Sequence, residues 1–438
     1  MVRGSMPLIE TEGVEVIDEE QRNRGFWKIF AIWAGFAIVI TNFLLGSLTI
    51  GAGLIEGFTA AVISIVLVGV IVYFGTKIAA EQGTAGTTAM RAPFGIRGRV
   101  IPALATVLAT VGWFGVQTGI VASSSKAILS NFGITVPFWL LAGALGIVMA
   151  TVAVFGYEWI EWLNRLAVPI MTILLGLVVY QIFTNYSTSL GSSGGTGMSF
   201  WAALNVFPAA TAAYLIVAMD YGRYGQSQDS SRPGWGATLA WIVFAIVLAA
   251  IGILAAAAAG TWNPVEITVE LGLGSVGLLL LIMGSWTTNV TNVYVGGIAL
   301  SQLTGLQRLY MTVLTGLVGT GLAVAGIFSY GGIQSFLSAL TVTLVPTTGI
   351  LLVHYYLIEG GMDINALFEV DGKYWYVRGW NPVAVMAWAI GAGFAVLAPD
   401  WTVPALSSAL VAGVIYYALD SPVGTWIERY QTQPRSSD

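Results

Sequence analysis

Twelve apolar stretches follow one another along this chain, separated by polar breaks and almost free of charge inside. Taken in order as spans 1 to 12, they run over 27–50, 57–80, 101–128, 135–155, 162–184, 200–221, 236–260, 273–301, 309–328, 334–357, 382–399 and 402–419. A helix needs roughly 20 consecutive apolar residues to cross the hydrocarbon core of a bilayer. Only helices and closed barrels satisfy every backbone polar group in that medium. Barrel strands alternate in polarity, whereas these runs are continuous. Charged residues make up 9% of the chain, against roughly 25% in soluble domains. The chain therefore reads as an all-α polytopic membrane protein with 12 transmembrane helices.

An even number of spans places both termini on one side. Of the 17 Lys and Arg residues, Lys126 alone falls opposite the termini. Cytoplasmic segments carry the excess of positive charge, so both termini are expected in the cytoplasm and the chain in the inner or plasma membrane. The expected organisation is a cytoplasmic tail 1–26, a ten-helix core 27–358, a cytoplasmic loop 359–381, two additional helices 382–419 and a tail 420–438. The first residues are polar and mostly acidic, without the pattern of a cleavable signal peptide. No basic cluster suggests nucleic acid, and the absence of Cys excludes disulfides and thiolate metal sites. Catalysis inside the bilayer would need a reactive pair, but the chain offers no Cys, 1 His and no midplane carboxylate. A channel would need a selectivity filter, and none is visible. Neither enzyme nor channel is expected. Glu158 and Glu161 alternate with Trp159 and Trp162, as interfacial anchors do.

The polar residues inside the spans carry the rest. In span 3, Gly112 to Gly119 reads Gly-Trp-Phe-Gly-Val-Gln-Thr-Gly. Trp113 and Gln117 share a helix face. A flat π surface beside a group that both donates and accepts suits a planar, hydrogen-bonding heterocycle. The same pair equally serves packing and interhelical bonding. Span 1 carries Gly35, Thr41, Asn42, Gly46, Ser47 and Thr49, and span 6 carries Asn205, Pro208 and Thr211. Polar, breaker-bearing segments five spans apart point to discontinuous helices around a midplane site. In span 8, the Thr287 and Thr288 hydroxyls, with carbonyls freed where a helix unwinds, form a neutral cage for a hard cation. Threonines also bond their own backbone. Asp220 and Arg223 close span 6 as an ion pair or gate. His354 reads as a packed or interfacial histidine.

Four stretches in register resemble the nucleobase:cation symporter-1 family, which includes cytosine permeases and hydantoin and allantoin transporters. They are Gly83-Thr-Ala-Gly-Thr-Thr with Phe94-Gly-Ile-Arg-Gly and Ile101-Pro-Ala-Leu, then Gly112-Trp-Phe-Gly-Val, Asp220-Tyr-Gly-Arg-Tyr, and Trp286-Thr-Thr-Asn with Tyr294. The resemblance implies a leucine-transporter-type fold, with inverted five-span repeats over about 27–184 and 200–358 and two extra helices. It implies import of a nucleobase or related planar nitrogen heterocycle by cation symport and alternating access. Carried over by position, Trp113 stacks on the ring, Gln117 and Asn289 read its polar edge, and Val39 lies beside it. The Gly35, Ile38 and Gly284 carbonyls and the Thr287 and Thr288 hydroxyls form a sodium site.

Thr211 stands where the family often has a second aromatic, and Ala213 where cytosine permease has serine. Phe207 or Tyr214 would then complete the ring sandwich. Gln117 is a feature of the hydantoin and allantoin transporters, so cytosine is not singled out. Sodium is the expected coupling ion because no carboxylate lies at the midplane; a proton-coupled form would fall to His354. The competing transport reading is an amino acid or other small polar solute, captured by broken-helix N-termini.

Overall fold

A helix falls on each of the 12 stretches in the computed structural model, which describes residues 16–154, 157–185 and 197–432. The side chains of Glu158, Trp159, Glu161 and Trp162 lie outside the described set. Spans 2, 3, 7 and 8 are the helices Leu54–Gln82, Val100–Asn131, Ser231–Ala259 and Gly274–Thr304. Spans 4, 5, 9, 11 and 12 are Phe138–Val154, Tyr157–Asn185, Arg308–Val324, Pro382–Leu397 and Pro404–Thr432. Among the described residues, 6 helices are long and apolar enough to cross a membrane, with the two halves of span 1 as a bent seventh.

Three spans are interrupted, each for a local reason. Span 1 is split into Phe26–Ala37 and Ile40–Thr49, which meet at 60°. Ile38, Val39 and Ile40 are β-branched and poor helix formers. Asn42 stabilises the break, because its Nδ2 donates to the released Ala37 carbonyl at 2.7 Å. Span 6 is split into Phe200–Ala210 and Tyr214–Gly222. Pro208 lacks the N–H that would bond the preceding turn, and the helix stops at Ala210. Span 10 is split into Tyr330–Thr343 and Val345–Val353, with Pro346 opening the second half and a wide π turn over His354–Glu359.

Span 8 packs along span 3, span 7 against spans 1 and 2, and the second half of span 10 against span 12. Membrane helices approach closely where small residues meet. A Cβ on Gly252 would lie 2.1 Å from the Phe43 carbonyl oxygen, and one on Gly46 would lie 2.5 Å from Ala249 Cα. Backbone cannot swing aside as a side chain can. Gly252→Ala is therefore expected to destabilise by about 1–3 kcal/mol, the usual cost of overpacking. Gly143→Ala, whose new methyl meets nothing within 4 Å, serves as the control. Thermal unfolding of both variants in detergent checks this.

The segment after span 10 is tied to the loop between spans 2 and 3. Ile96 N–H donates to the Tyr374 carbonyl at 3.3 Å, and the Arg97 and Gly98 N–H groups converge on the Gly379 carbonyl at 2.8 and 3.0 Å. Tyr376 donates to Ala92 O at 2.6 Å and Asn381 Nδ2 to Pro93 O at 2.8 Å. The Arg91 guanidinium bonds Leu367 O at 3.0 Å. Burial, and then the like charge of Arg99, lower the Arg91 pKa to about 10.

Candidate substrate and ion site

Trp113 and Gln117 emerge on the face of span 3 that meets spans 1 and 10. The indole stands edge-to-face against Phe336 of span 10, with centroids 5.3 Å apart at 83°. Gly112 makes room for that ring, since a Cβ there would lie 2.0 Å from Phe336 Cε2. Gln117 is 0% exposed. Its Nε2 donates to Thr41 Oγ1 at 2.7 Å, while its Oε1 is buried with no hydrogen-bond partner. A buried acceptor left unpaired costs about 1–3 kcal/mol. Such groups are few in native proteins, and each asks for a partner.

Asn289 projects from span 8 towards the neighbouring face of span 3. Its Nδ2 reaches Thr118 Oγ1 at 3.0 Å and Phe114 O at 3.2 Å, and lies 3.7 Å from Met149 Sδ. Phe114 and Thr118 each follow Trp113 and Gln117 by one residue, a rotation of about 100° around the helix. The Asn289 amide nitrogen therefore grips span 3 beside the Trp113–Gln117 face. Its Oδ1, like that of Asn42 in span 1, is buried without a partner.

Thr211 sits at the span 6 break and returns its hydroxyl to Phe207 O at 2.7 Å. Neither aromatic expected to replace the missing ring is described against Trp113. Phe207 is fully buried. Tyr214 joins a separate ring cluster, 4.8 Å from Trp241, 5.5 Å from Phe36 and 5.9 Å from Trp33. Phe336, unmarked in the sequence, and Thr41, one of the polar residues of span 1, are the groups that touch the two span 3 residues. Thr41 carried the weak signal of a hydroxyl two residues past Val39. Phe336 is one apolar aromatic among many and carried none.

For the cation, the unwound turn lies in span 1, where Ile38 and Val39 leave helical geometry. Span 8 runs unbroken from Gly274 to Thr304. Thr287 and Thr288 both donate to Gly284 O, at 3.1 and 3.2 Å. Each hydroxyl thus keeps its lone pairs for another partner, but the two lone pairs of the Gly284 carbonyl are taken. Beside Gly35 there is open space, with nothing within 4 Å of a built Cβ. Among the described residues no group of three His, Cys, Asp or Glu is placed to hold a metal.

Asp220 faces the loop after span 2, and its Oδ1 accepts from Gly86 N–H at 2.9 Å. Arg223 acts on the Asp220 charge through space, and its guanidinium lies 5.2 Å from the Tyr224 ring centroid. Asp220→Ala would leave the Gly86 N–H unpaired, and a bond to a charged group is worth about 1.5–3 kcal/mol. The expected result is a clear fall in Tm for Asp220→Ala and a smaller one for Asp220→Asn, which keeps an acceptor. Thermal unfolding in detergent reads the difference.

His354 lies apart from these residues. Its Nδ1 is 2.9 Å from Tyr416 Oη of span 12, and its Nε2 is 3.5 Å from Glu359 Oε1. It follows Phe336 on the far side of the break in span 10.

A sequence profile described as permease for cytosine/purines, uracil, thiamine, allantoin matches residues 16–418. The chain is 27% identical over 411 residues to hydantoin permease of Microbacterium maritypicum, covering 87% of this chain and 83% of that protein. It is 26% identical over 392 residues to cytosine permease of Escherichia coli (strain K12), covering 86% of each. In fold it resembles the inward-facing conformation of Mhp1, with a TM-score of 0.82 and 20% identity, over 99% of this chain and 100% of that one.

Proposed function

Because this chain belongs to the family of permeases for cytosine/purines, uracil, thiamine and allantoin, we propose that it is a secondary active transporter importing a planar nitrogen heterocycle together with sodium. The observation that carries the reading is the Trp113–Gln117 face. It pairs a π surface held upright by Phe336 with a buried carbonyl oxygen that has no partner in the protein. A ring stacked on Trp113 brings N–H groups to the Gln117 and Asn289 oxygens. Thr211 borders it from the break in span 6, and Val39 from the break in span 1.

Sodium binds at the other side of the span 1 break in this reading. The Gly35 and Ile38 carbonyls and the Thr287 and Thr288 hydroxyls are neutral oxygens of the kind it takes. Gly284 O joins them once both hydroxyls turn away from it. The breaks in spans 1, 6 and 10 supply hinges for alternating access, and Asp220 with Arg223 anchors the end of span 6 to the loop after span 2. Both termini face the cytoplasm. His354 stands apart from this site and is bonded through Nδ1 to Tyr416, which supports sodium over a proton as the coupling ion.

A thermal-shift screen of the purified chain tests this, using hydantoin, allantoin, cytosine, uracil, adenine and a set of amino acids, each with and without sodium. A ligand at 100 times its Kd stabilises by about 2.7 kcal/mol. At least one ring should raise Tm, and more so in sodium. Stabilisation by amino acids and by none of the rings would overturn the reading.

A further inference from the structure

We infer, resting on the heterocycle reading of the same site, that Thr41 is a positioning residue: it holds the Gln117 carboxamide in one orientation and so makes the site select rings that present an N–H. A carboxamide has two ends of nearly equal shape and opposite demand, an oxygen that accepts and a nitrogen that donates. Left free, Gln117 turns either end to a ligand and discriminates poorly. Thr41 removes that freedom by taking the nitrogen at 2.7 Å. What remains facing the site is the unpartnered, fully buried Oε1.

The break in span 1 makes Thr41 available for this. Threonines in membrane helices commonly bond the carbonyl four residues back, and Thr106, Thr211 and Thr315 do so here. The corresponding acceptor for Thr41 is Ala37 O. That oxygen already receives Val39 N–H at 3.0 Å and Asn42 Nδ2 at 2.7 Å. Thr41 therefore turns across to span 3. The opposite arrangement, with Thr41 donating to Oε1, would present an NH2 group to the ring and select acceptors instead.

Isosteric ligand pairs separate these cases. Hydantoin and 2,4-oxazolidinedione, and likewise uracil and 3-oxauracil, differ by one ring N–H (in the N–H-bearing member) replaced by oxygen (in the oxygen-bearing member). Affinities of all four are measured by calorimetry on the purified full-length wild type, Thr41→Val and Thr41→Ser, each first shown to be monodisperse. In wild type, the N–H-bearing member of at least one pair should bind about ten-fold or more tightly than its partner. In Thr41→Val, which keeps the shape and loses the hydroxyl, that ratio should fall below about three-fold as the freed carboxamide turns to suit either ring. Thr41→Ser should keep it. A purely structural role would weaken both members alike and leave the ratio unchanged, which overturns the inference. A wild type that prefers the oxygen-bearing members, or neither member of either pair, overturns it as well. If wild type binds none of the four, the heterocycle reading falls and takes the inference with it.

Discussion

Trp113→Ala is expected to weaken ring binding by about ten-fold or more, and Trp113→Phe to retain part of the affinity. Stacking a base on an aromatic side chain is worth roughly 1–3 kcal/mol by alanine substitution, and each 1.4 kcal/mol is a factor of ten. The geometry favours the upper part of that range. Phe336 meets the indole at 83°, so the ring is already fixed and little side-chain freedom remains to be lost on binding. The same contact supplies the competing explanation, in which Trp113 only packs. Removing a fully buried aromatic destabilises a core by about 3–5 kcal/mol, an upper bound for the partly buried Trp113. The two explanations separate when Kd and Tm are measured on the same preparations. A packing role lowers Tm and leaves Kd unchanged among the folded molecules. A stacking role raises Kd in Trp113→Ala at temperatures where the variant is fully folded. Normal affinity in both variants would remove Trp113 from the site.

Thr288→Ala should abolish the sodium dependence of substrate affinity while leaving most of the affinity itself. Coupling between two ligands is reciprocal, so a protein that has lost its sodium site binds substrate as wild type does without sodium. In the structure Thr288 shares the Gly284 carbonyl with Thr287. Its removal takes away one cage oxygen and leaves Gly284 O occupied by the Thr287 hydroxyl and the helical Thr288 N–H. Thr287→Ala with Thr288→Ala removes both hydroxyls and should leave no coupling. The measurement is substrate Kd with and without saturating sodium in wild type, the single variant and the double variant. A wild type whose affinity ignores sodium, but whose uptake follows a pH gradient, would redirect attention to His354.

Much of the architecture could be read without coordinates because the bilayer penalises polar groups so heavily. Apolar run length located the spans, and Pro208 with the polar residues of spans 1 and 6 marked two of the three breaks. Span 10 reads as one apolar run, although Pro346 stands in its middle and cannot donate to the preceding turn. Trp113 and Gln117 were recognisable as a face because helical spacing alone places them together. Their partners were not. Phe336 and Thr41 reach them from spans distant in sequence; the Thr41 hydroxyl marks only that span 1 is polar, and an ordinary phenylalanine has no local mark of such a contact. The role expected for Phe207 or Tyr214 rested on proximity along the chain. Packing instead drew Tyr214 into the cluster with Trp33, Phe36 and Trp241. The docking of the segment after span 10 ends throughout on backbone carbonyls, whether the donor is a backbone N–H or the side chain of Arg91, Tyr376 or Asn381, and a carbonyl leaves no residue signature.

That docking has a consequence for biosynthesis. Arg91 and Leu367 are 276 positions apart, and Pro93 and Asn381 are 288 apart. At about 5–20 residues per second, the early loop waits roughly 15 to 60 s for its partner to leave the ribosome. Throughout that interval the Phe94 and Ala92 carbonyls and the Ile96, Arg97 and Gly98 amides lack their final partners, and the half-buried Arg91 lacks its acceptor. A nascent chain stalled before residue 359 should therefore carry a protease-sensitive loop between spans 2 and 3. The loop should become resistant once residues 367–381 have emerged and docked, so this late segment acts as a checkpoint on a loop made long before it.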